Sequence, residues 1–160
     1  MTTDNDWVRV ERRIKAPIGK VWAMWTDPNL FRKWYGPNGM TVPAAEMDVV
    51  VGGRRKVCMQ MQTPERTMTM WFVGEYKEID APRRLVYTES MADEAGNIVS
   101  PQGMPEAHPD VTEVIVELSE SDGHTLMKMT HVGVPAGSAG AGGWAQAIDK
   151  LEALFAGARA

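Results

Sequence analysis

Apolar residues recur along the last part of the chain at the spacing of an α-helix. Members of this set lie four, three and four positions apart: Trp144, Ile148, Leu151 and Phe155. This spacing places them on one face of a helix between residues 139 and 160. The opposite face carries polar side chains that belong in water: Gln146, Asp149, Lys150 and Glu152. Such a helix cannot bury its apolar face alone, so the preceding chain must provide an apolar surface for it.

The preceding chain predicts one strand, two short helices and six further strands. Residues 7–15 alternate in the manner of a strand. One short helix begins at Pro17, and Asp27 caps the next, which has Pro28 in its first turn. Turn residues then separate six β-rich runs: 41–51, 54–62, 67–79, 83–90, 111–119 and 125–132. Residues 91–110 predict a long loop, and residues 133–143 predict a connection of small residues.

Consecutive strands joined by short turns favour an antiparallel meander. We therefore predict an α+β fold, in which a curved antiparallel sheet of about seven strands wraps around the long C-terminal helix. The two short helices lie between the first and second strands. No repeat or linker divides the chain, so residues 1–160 are predicted to form a single domain.

Composition excludes several classes of protein. The net charge of -4 makes general nucleic-acid binding improbable. No apolar run reaches the length of a membrane span, and the N-terminus has no pattern of a secretory signal. Cys58 is the single cysteine, so no internal disulfide can form, and we predict a cytoplasmic protein. The 12 methionines and 6 tryptophans are suited to an adaptable apolar interior or to a binding cavity.

We predict that methionines and aromatic residues line a cavity between the sheet and the helix. A solid core with methionine as filler is the alternative, and a strand register shifted by one residue would exchange Met70 for Trp71. The predicted ligand-binding residues are Trp25, Trp34, Met59, Met61, Met70, Tyr87, Met127, Met129, His131, Trp144 and Ile148.

Two residues are candidates for acid/base chemistry. His131 lies in a strong strand pattern, where a buried imidazole can exchange a proton near neutral pH. The favoured interpretation of His131 is nevertheless a structural hydrogen bond. Glu89 follows Tyr87 on one face of a strand, and inside the protein its carboxyl group would either be protonated or have a cation partner. A position in water at the cavity mouth is favoured for Glu89. The three histidines have no metal-ligand spacing, and we predict neither a metal nor a cofactor.

The order of several short motifs resembles a known superfamily. These motifs are Ala16-Pro17 before Val21-Trp22, Thr26-Asp27-Pro28, Trp34-Tyr35-Gly36-Pro37, Gly52-Gly53, Gly74-Glu75-Tyr76, Pro82-Arg83-Arg84-Leu85, Thr125 with His131, and Gly143-Trp144 with Leu151. The chain resembles the SRPBCC superfamily, whose helix-grip fold is shared by START lipid-binding domains, polyketide cyclases and birch-pollen allergens. Within it, the chain is most similar to the family named after the activator of the heat-shock protein 90 ATPase, in its bacterial single-domain form.

This resemblance implies a seven-stranded sheet gripping the helix and a cavity that accepts hydrophobic or aromatic small molecules. Our first hypothesis is therefore a binding protein for such a ligand, without membrane insertion and with homodimer formation left open. An enzyme of the cyclase/aromatase or hydrolase type, using the same cavity, is the second. The third is a protein-interaction module that binds a chaperone, although the separate N-terminal domain of the eukaryotic co-chaperone is not seen in this sequence.

Overall fold

The computed structural model describes residues 7–36, 39–99, 111–136 and 139–157. Its elements follow the predicted order: β1 (Trp7–Ile14), α1 (Ile18–Thr26), α2 (Pro28–Trp34), β2 (Met40–Met47), β3 (Arg54–Gln62), β4 (Thr67–Asp80), β5 (Arg84–Ala92), β6 (Thr112–Ser121), β7 (His124–Pro135) and α3 (Ala139–Gly157). Across these ranges, no helix is both long enough and apolar enough to span a membrane.

The strands form one curled antiparallel sheet in the order β1-β7-β6-β5-β4-β3-β2. Each neighbouring pair is antiparallel, and the helices cover the concave face. Strand β1 is at one edge and pairs with β7, so the first and last strands are neighbours. The predicted helix-grip architecture is therefore confirmed.

Several element boundaries differ from the predicted ones. β2 ends at Met47, because Asp48 to Gly53 form a turn in which the Asp48 N–H donates to the Arg54 carbonyl at 2.9 Å. β5 continues to Ala92, and Asp93 then closes a turn by accepting from the Asn97 N–H at 2.9 Å. Part of the predicted loop, residues 100–110, lies outside the described residues.

Helix α3 begins at Ala139, so the glycines at 140, 142 and 143 belong to its first turns. The prediction that residues 133–143 form a connection is wrong over this part. These glycines have low helix propensity, and tertiary packing of the following residues supports the helix instead.

Helix α3 is held on the sheet mainly by its apolar face. Its buried side chains are Trp144, Ala147, Ile148 and Leu151. Full burial of a side chain such as that of Ile148 or Leu151 contributes about 1.5–3 kcal/mol to the stability of the fold. Arg12 of β1 adds ion pairs at 2.7 Å to Asp149 and 2.8 Å to Glu152. Exposed pairs of this kind contribute at most about 1 kcal/mol, so the apolar face carries most of the attachment.

Gly74 of β4 lies close against the main chain of β5. A Cβ atom at this position would overlap the main-chain carbonyl oxygen of Thr88, which cannot move without disturbing β5. The same Cβ would lie 3.5 Å from Cγ of Arg55, whose side chain runs beside the glycine. The absence of a side chain at Gly74 therefore sets the spacing of the strands and leaves room for Arg55.

We expect Gly74→Ala to lower the free energy of unfolding by about 1–3 kcal/mol or more, because the added methyl group forces main-chain displacement. Gly19→Ala is the matched control, since no atom lies within 4 Å of its added Cβ and its helix gains intrinsic propensity. Urea unfolding of both variants provides the measurement. Equal stability of the two variants would contradict the packing assigned to Gly74.

Candidate functional site

Strand register brings buried polar side chains into a row across the concave face. Arg55 of β3 lies opposite Gly74 of β4, and Glu89 of β5 lies opposite Thr112 of β6. On β4 and β5, Val73 pairs with Ser90 and Tyr76 with Tyr87, so Gly74 and Glu89 lie at matching positions between these pairs. Because glycine has no side chain, Arg55 and Glu89 face each other across β4.

A second row lies directly beside the first. Tyr76 of β4 pairs with Tyr87 of β5, Tyr87 with Val114 of β6, and Val114 with His131 of β7. Residues directly opposite in an antiparallel pair share a face of the sheet. The two rows together concentrate polar groups within an otherwise apolar interior.

Glu89 is the centre of this polar cluster and is only 7% exposed. Tyr35, at the end of α2, donates its hydroxyl to Oε2 of Glu89 at 2.6 Å. Burial, followed by the charge of Glu89, raises the pKa of Tyr35 well above its ordinary value, so the phenol keeps the proton it donates. Nη1 of Arg55 lies 3.8 Å from the same carboxylate oxygen. The favoured expectation that Glu89 sits in water at a cavity mouth is therefore wrong, because α2 and β3 supply its partners inside.

His131 is held by hydrogen bonds at both ring nitrogens. The Trp144 indole N–H donates to Nδ1 at 2.9 Å, and Thr112 Oγ1 lies 2.7 Å from Nε2. An indole nitrogen can only donate, so Nδ1 carries no proton and Nε2 is the donor to Thr112. The Thr112 hydroxyl then donates to the Glu89 carbonyl at 2.9 Å. These contacts orient the ring, and they support the structural interpretation of His131 over an acid/base role.

Arg55 lies inside the protein with 2% exposure. Its guanidinium carbon stands 3.9 Å from the centroid of the Tyr87 ring and 5.2 Å from that of Phe31. Among the described residues, no acceptor forms a hydrogen bond with its Nε, Nη1 or Nη2. Burial lowers the pKa of Arg55, but Tyr87, Tyr76 and Glu89 together raise it further, so the net shift is upward and the charge is permanent.

The hydroxyl groups of Tyr76 and Tyr87 are buried near this guanidinium. Neither forms a hydrogen bond of acceptable geometry with a described residue, although the side chains of Tyr76 and Arg55 are close enough for a polar contact that, with the charge of Arg55, acts on the pKa of Tyr76. Burial raises the pKa of both phenols, and Arg55 opposes that shift without cancelling it. Both phenols therefore stay protonated and are available as donors.

Aromatic side chains fill the space beneath α3. The ring centroids of Trp25 and Trp34 are 4.8 Å apart, and Trp144 stacks on Trp25 at 6.0 Å. The Trp25 indole N–H points to the sulfur of Met127 at 3.3 Å. Tyr35 joins the group through Trp144, with ring centroids 5.8 Å apart. This part of the interior is packed core.

An apolar surface continues from the polar rows toward the far end of β3 and β4. We call it the methionine strip, and it comprises Met59, Met61, Met70, Phe72 and Met91. Register places these residues on the same face as Arg55. Met59 is buried and the other four are half-buried, so the strip is incompletely covered by the described residues.

The predicted ligand-binding residues divide between these regions. Those within the packed interior are Trp25, Trp34, Met127, Met129, Trp144 and Ile148. Met59, Met61 and Met70 lie on the methionine strip, and Tyr87 and His131 lie in the second polar row. Met70, rather than Trp71, shares the face of Met59.

Sequence reasoning missed Arg55, Tyr35, Tyr76 and Thr112 as members of the cluster. A signal for Arg55 was present, because it continues the alternation of Val57 and Met59 on the apolar face of β3. Tyr35 carried no comparable signal, since its contact with Glu89 joins residues far apart in the chain. In the described part of the chain, no three His, Cys, Asp or Glu residues form a group that could hold a metal ion.

An open surface depression of about 490 Å³ lies where α2, β2 and α3 meet. Its described lining includes three cationic residues, Arg32, Lys33 and Lys150, and no acidic one. Tyr35 also lines it, and the hydroxyl of this residue reaches Glu89. The depression therefore borders the polar cluster on its outer side.

The sequence matches one family model, described as activator of Hsp90 ATPase homolog 1-like protein, over residues 15–156. The chain belongs to this family. Comparison with the curated proteins gives no significant match. The family assignment and the observed helix-grip sheet agree, but neither names a ligand.

Solved structures of bacterial proteins have the same fold. A protein from Arthrobacter aurescens superposes with a TM-score of 0.75 at 22% identity, covering 99% of this chain and 91% of its own. One from Nitrosomonas europaea gives 0.73 at 22% identity, covering 96% of both chains. The AHSA1 protein of Silicibacter pomeroyi gives 0.68 at 21% identity, covering 92% of this chain and 96% of its own. At these levels of sequence identity, the comparisons show that these proteins share the fold of this chain.

We expect Tyr35→Phe to lower the free energy of unfolding by about 1.5–3 kcal/mol, because it removes a hydrogen bond to a buried carboxylate. Tyr87→Phe is the matched control, and its stability should be unchanged or higher, since its buried hydroxyl lacks a partner among the described residues. Urea unfolding at neutral pH measures both. A Tyr87→Phe variant less stable than Tyr35→Phe would contradict the assigned hydrogen bonds.

Proposed function

We propose that this protein binds a small hydrophobic or aromatic molecule on the concave face of its sheet. The ligand lies along the methionine strip, with one end at the polar rows. The half-covered strip beside the buried Arg55 and Glu89 is the observation that carries the proposal.

The chemistry of the strip supports this function. Thioether side chains are flexible and polarizable, so they adapt to planar apolar ligands of different shapes. Small-molecule sites typically combine an apolar lining with a few polar groups that fix orientation. Met59, Met61 and Met70 supply the first, while Tyr76 and Tyr87 supply the second at one end.

The packed aromatic residues limit where the ligand sits. Trp25, Trp34 and Trp144 contact one another beneath α3, which favours the β3–β4 end of the concave face. This location modifies the expectation of a cavity centred under the helix. Helix α2 borders the polar end of this site, because the ring of Phe31 lies 5.2 Å from the guanidinium carbon of Arg55.

Binding is better supported than catalysis. A general base needs a free lone pair directed at the substrate, whereas the Nδ1 of His131 accepts from Trp144. Glu89 already accepts the Tyr35 hydroxyl at 2.6 Å. Proton abstraction by Nδ1 of His131 would require its contact with Trp144 to break.

The neutral fluorescent probe N-phenyl-1-naphthylamine tests the proposal. We expect saturable fluorescence enhancement, and we expect Met70→Asp to weaken binding by roughly tenfold or more, because a charge on the strip must be desolvated by the ligand. Fluorescence titration gives both dissociation constants.

Thr69→Asp is the matched control for this titration. It introduces the same charge on the same strand, but at an exposed position on the opposite face. Its affinity should equal that of the unmodified protein. Absence of saturable binding, or equal loss in both variants, would refute a site on the methionine strip.

A further inference from the structure

We propose that the ligand carries an oxyanion, of which a carboxylate is the simplest, and that Arg55 receives it together with the hydroxyls of Tyr76 and Tyr87. This inference rests on the proposed function and specifies the chemical class of the ligand. The apolar part of the molecule lies on the methionine strip, and its anionic end points toward the polar rows.

The first support is the state of the guanidinium. Arg55 is a permanent cation with 2% exposure, and no described acceptor forms a hydrogen bond with its Nε, Nη1 or Nη2. Buried charged groups are ordinarily paired and hydrogen-bonded, because the desolvation penalty is large. A planar guanidinium is well matched to the two oxygens of a carboxylate.

Glu89 satisfies this cation incompletely. Its Oε2 atom is 3.8 Å from Nη1 of Arg55, which is an ion pair without a hydrogen bond. The same oxygen accepts the short bond from Tyr35, and Oε1 faces Nε2 of His131 at 3.7 Å. Glu89 is therefore directed toward Tyr35 and the second row, while the N–H groups of Arg55 remain donors without a described acceptor.

The polar groups around the guanidinium also favour a ligand that accepts hydrogen bonds. The buried side-chain atoms without a described partner are the three nitrogens of Arg55 and the hydroxyl oxygens of Tyr76 and Tyr87. Each of these groups can donate a hydrogen bond, and the arginine cannot accept one. A ligand atom that satisfies them together must accept hydrogen bonds, as a carboxylate oxygen does.

The surface depression beside Tyr35 is also electropositive. Arg32, Lys33 and Lys150 line the depression that borders Tyr35, and no acidic residue is among its described lining residues. Cations around an opening raise the local concentration of anions. Because these residues are separate from Arg55, they are an independent indication of an anionic ligand.

The stacking of Arg55 explains how its charge is tolerated before the ligand binds. The face of Tyr87 lies 3.9 Å from the guanidinium carbon, and Phe31 and Tyr76 are at 5.2 Å and 6.0 Å. Aromatic faces attract a cation but leave its N–H groups, which lie in the guanidinium plane, without acceptors. These contacts therefore offset part of the cost of burying the charge and leave the N–H groups able to form hydrogen bonds with a ligand.

A pair of probes with the same ring system tests this inference: 2-naphthoate and its neutral amide, 2-naphthamide. We expect isothermal titration calorimetry at neutral pH to show naphthoate binding about tenfold or more tightly, as a charge-assisted hydrogen-bonded pair requires. Arg55→Met should abolish the preference and leave the affinity for naphthamide within about threefold. Arg54→Met is the matched control, since this neighbouring arginine is exposed, and it should retain the preference.

A second variant keeps the inference testable if Arg55→Met does not fold. Tyr87→Phe preserves the aromatic face and removes one hydrogen-bond donor. It should therefore lower the affinity for naphthoate several-fold and change the affinity for naphthamide little.

Equal affinity of the unmodified protein for the two probes would overturn the inference, as would a preference for naphthoate that survives Arg55→Met. If N-phenyl-1-naphthylamine binds while naphthoate shows no preference, the anion site fails and the proposed apolar site stands. If neither naphthyl probe nor N-phenyl-1-naphthylamine binds, both fail.

Discussion

The concave face of this sheet is wider than one helix can cover, and the rest of the molecule depends on that constraint. Adjacent strands lie about 4.8 Å apart, so seven strands extend over roughly 29 Å, whereas a helix with its side chains is about 10–12 Å across. Helix α3 covers the β1 and β7 side, where Trp144 meets His131 and Arg12 binds Asp149. Helix α1 packs against β6 and β7, and α2 packs against the edge strand β2. On β3 and β4, the methionine strip keeps half-buried apolar side chains.

Unequal coverage also explains why the polar residues lie where they do. Beneath α3 the aromatic side chains pack against one another, and the polar atoms there, such as Nδ1 of His131, have protein partners. Toward β3 the partners become fewer, and the guanidinium of Arg55 stacks on rings rather than forming hydrogen bonds with described residues. Incompletely satisfied buried donors are costly to the fold. Their concentration at the margin of the packed core is the observation on which the proposed anion site rests.

Much of the fold was predictable because it follows from periodicity. The four-three-four spacing of Trp144, Ile148, Leu151 and Phe155 predicted a helix with one apolar face, and alternation in residues 54–62 predicted the inward set of β3. The boundary of α3 was less predictable, since glycines at its first turns disfavour a helix on intrinsic propensity. Packing of Trp144 against His131 and Trp25 provides stabilisation that the low helix propensity of these glycines does not.

The sequence by itself determined the antiparallel pairing of consecutive strands and the apolar face of α3, because each depends on neighbours a few positions apart. The pairing of β1 with β7 joins residues far apart in the chain, and only the tertiary structure decided it. Only the tertiary structure decided the partners of the buried charges. Tyr35 and Glu89 are separated by 54 positions, and Arg55 faces Glu89 because Gly74 lies between them on β4. Contacts of this kind arise from strand register and helix placement together, and no local pattern encodes them.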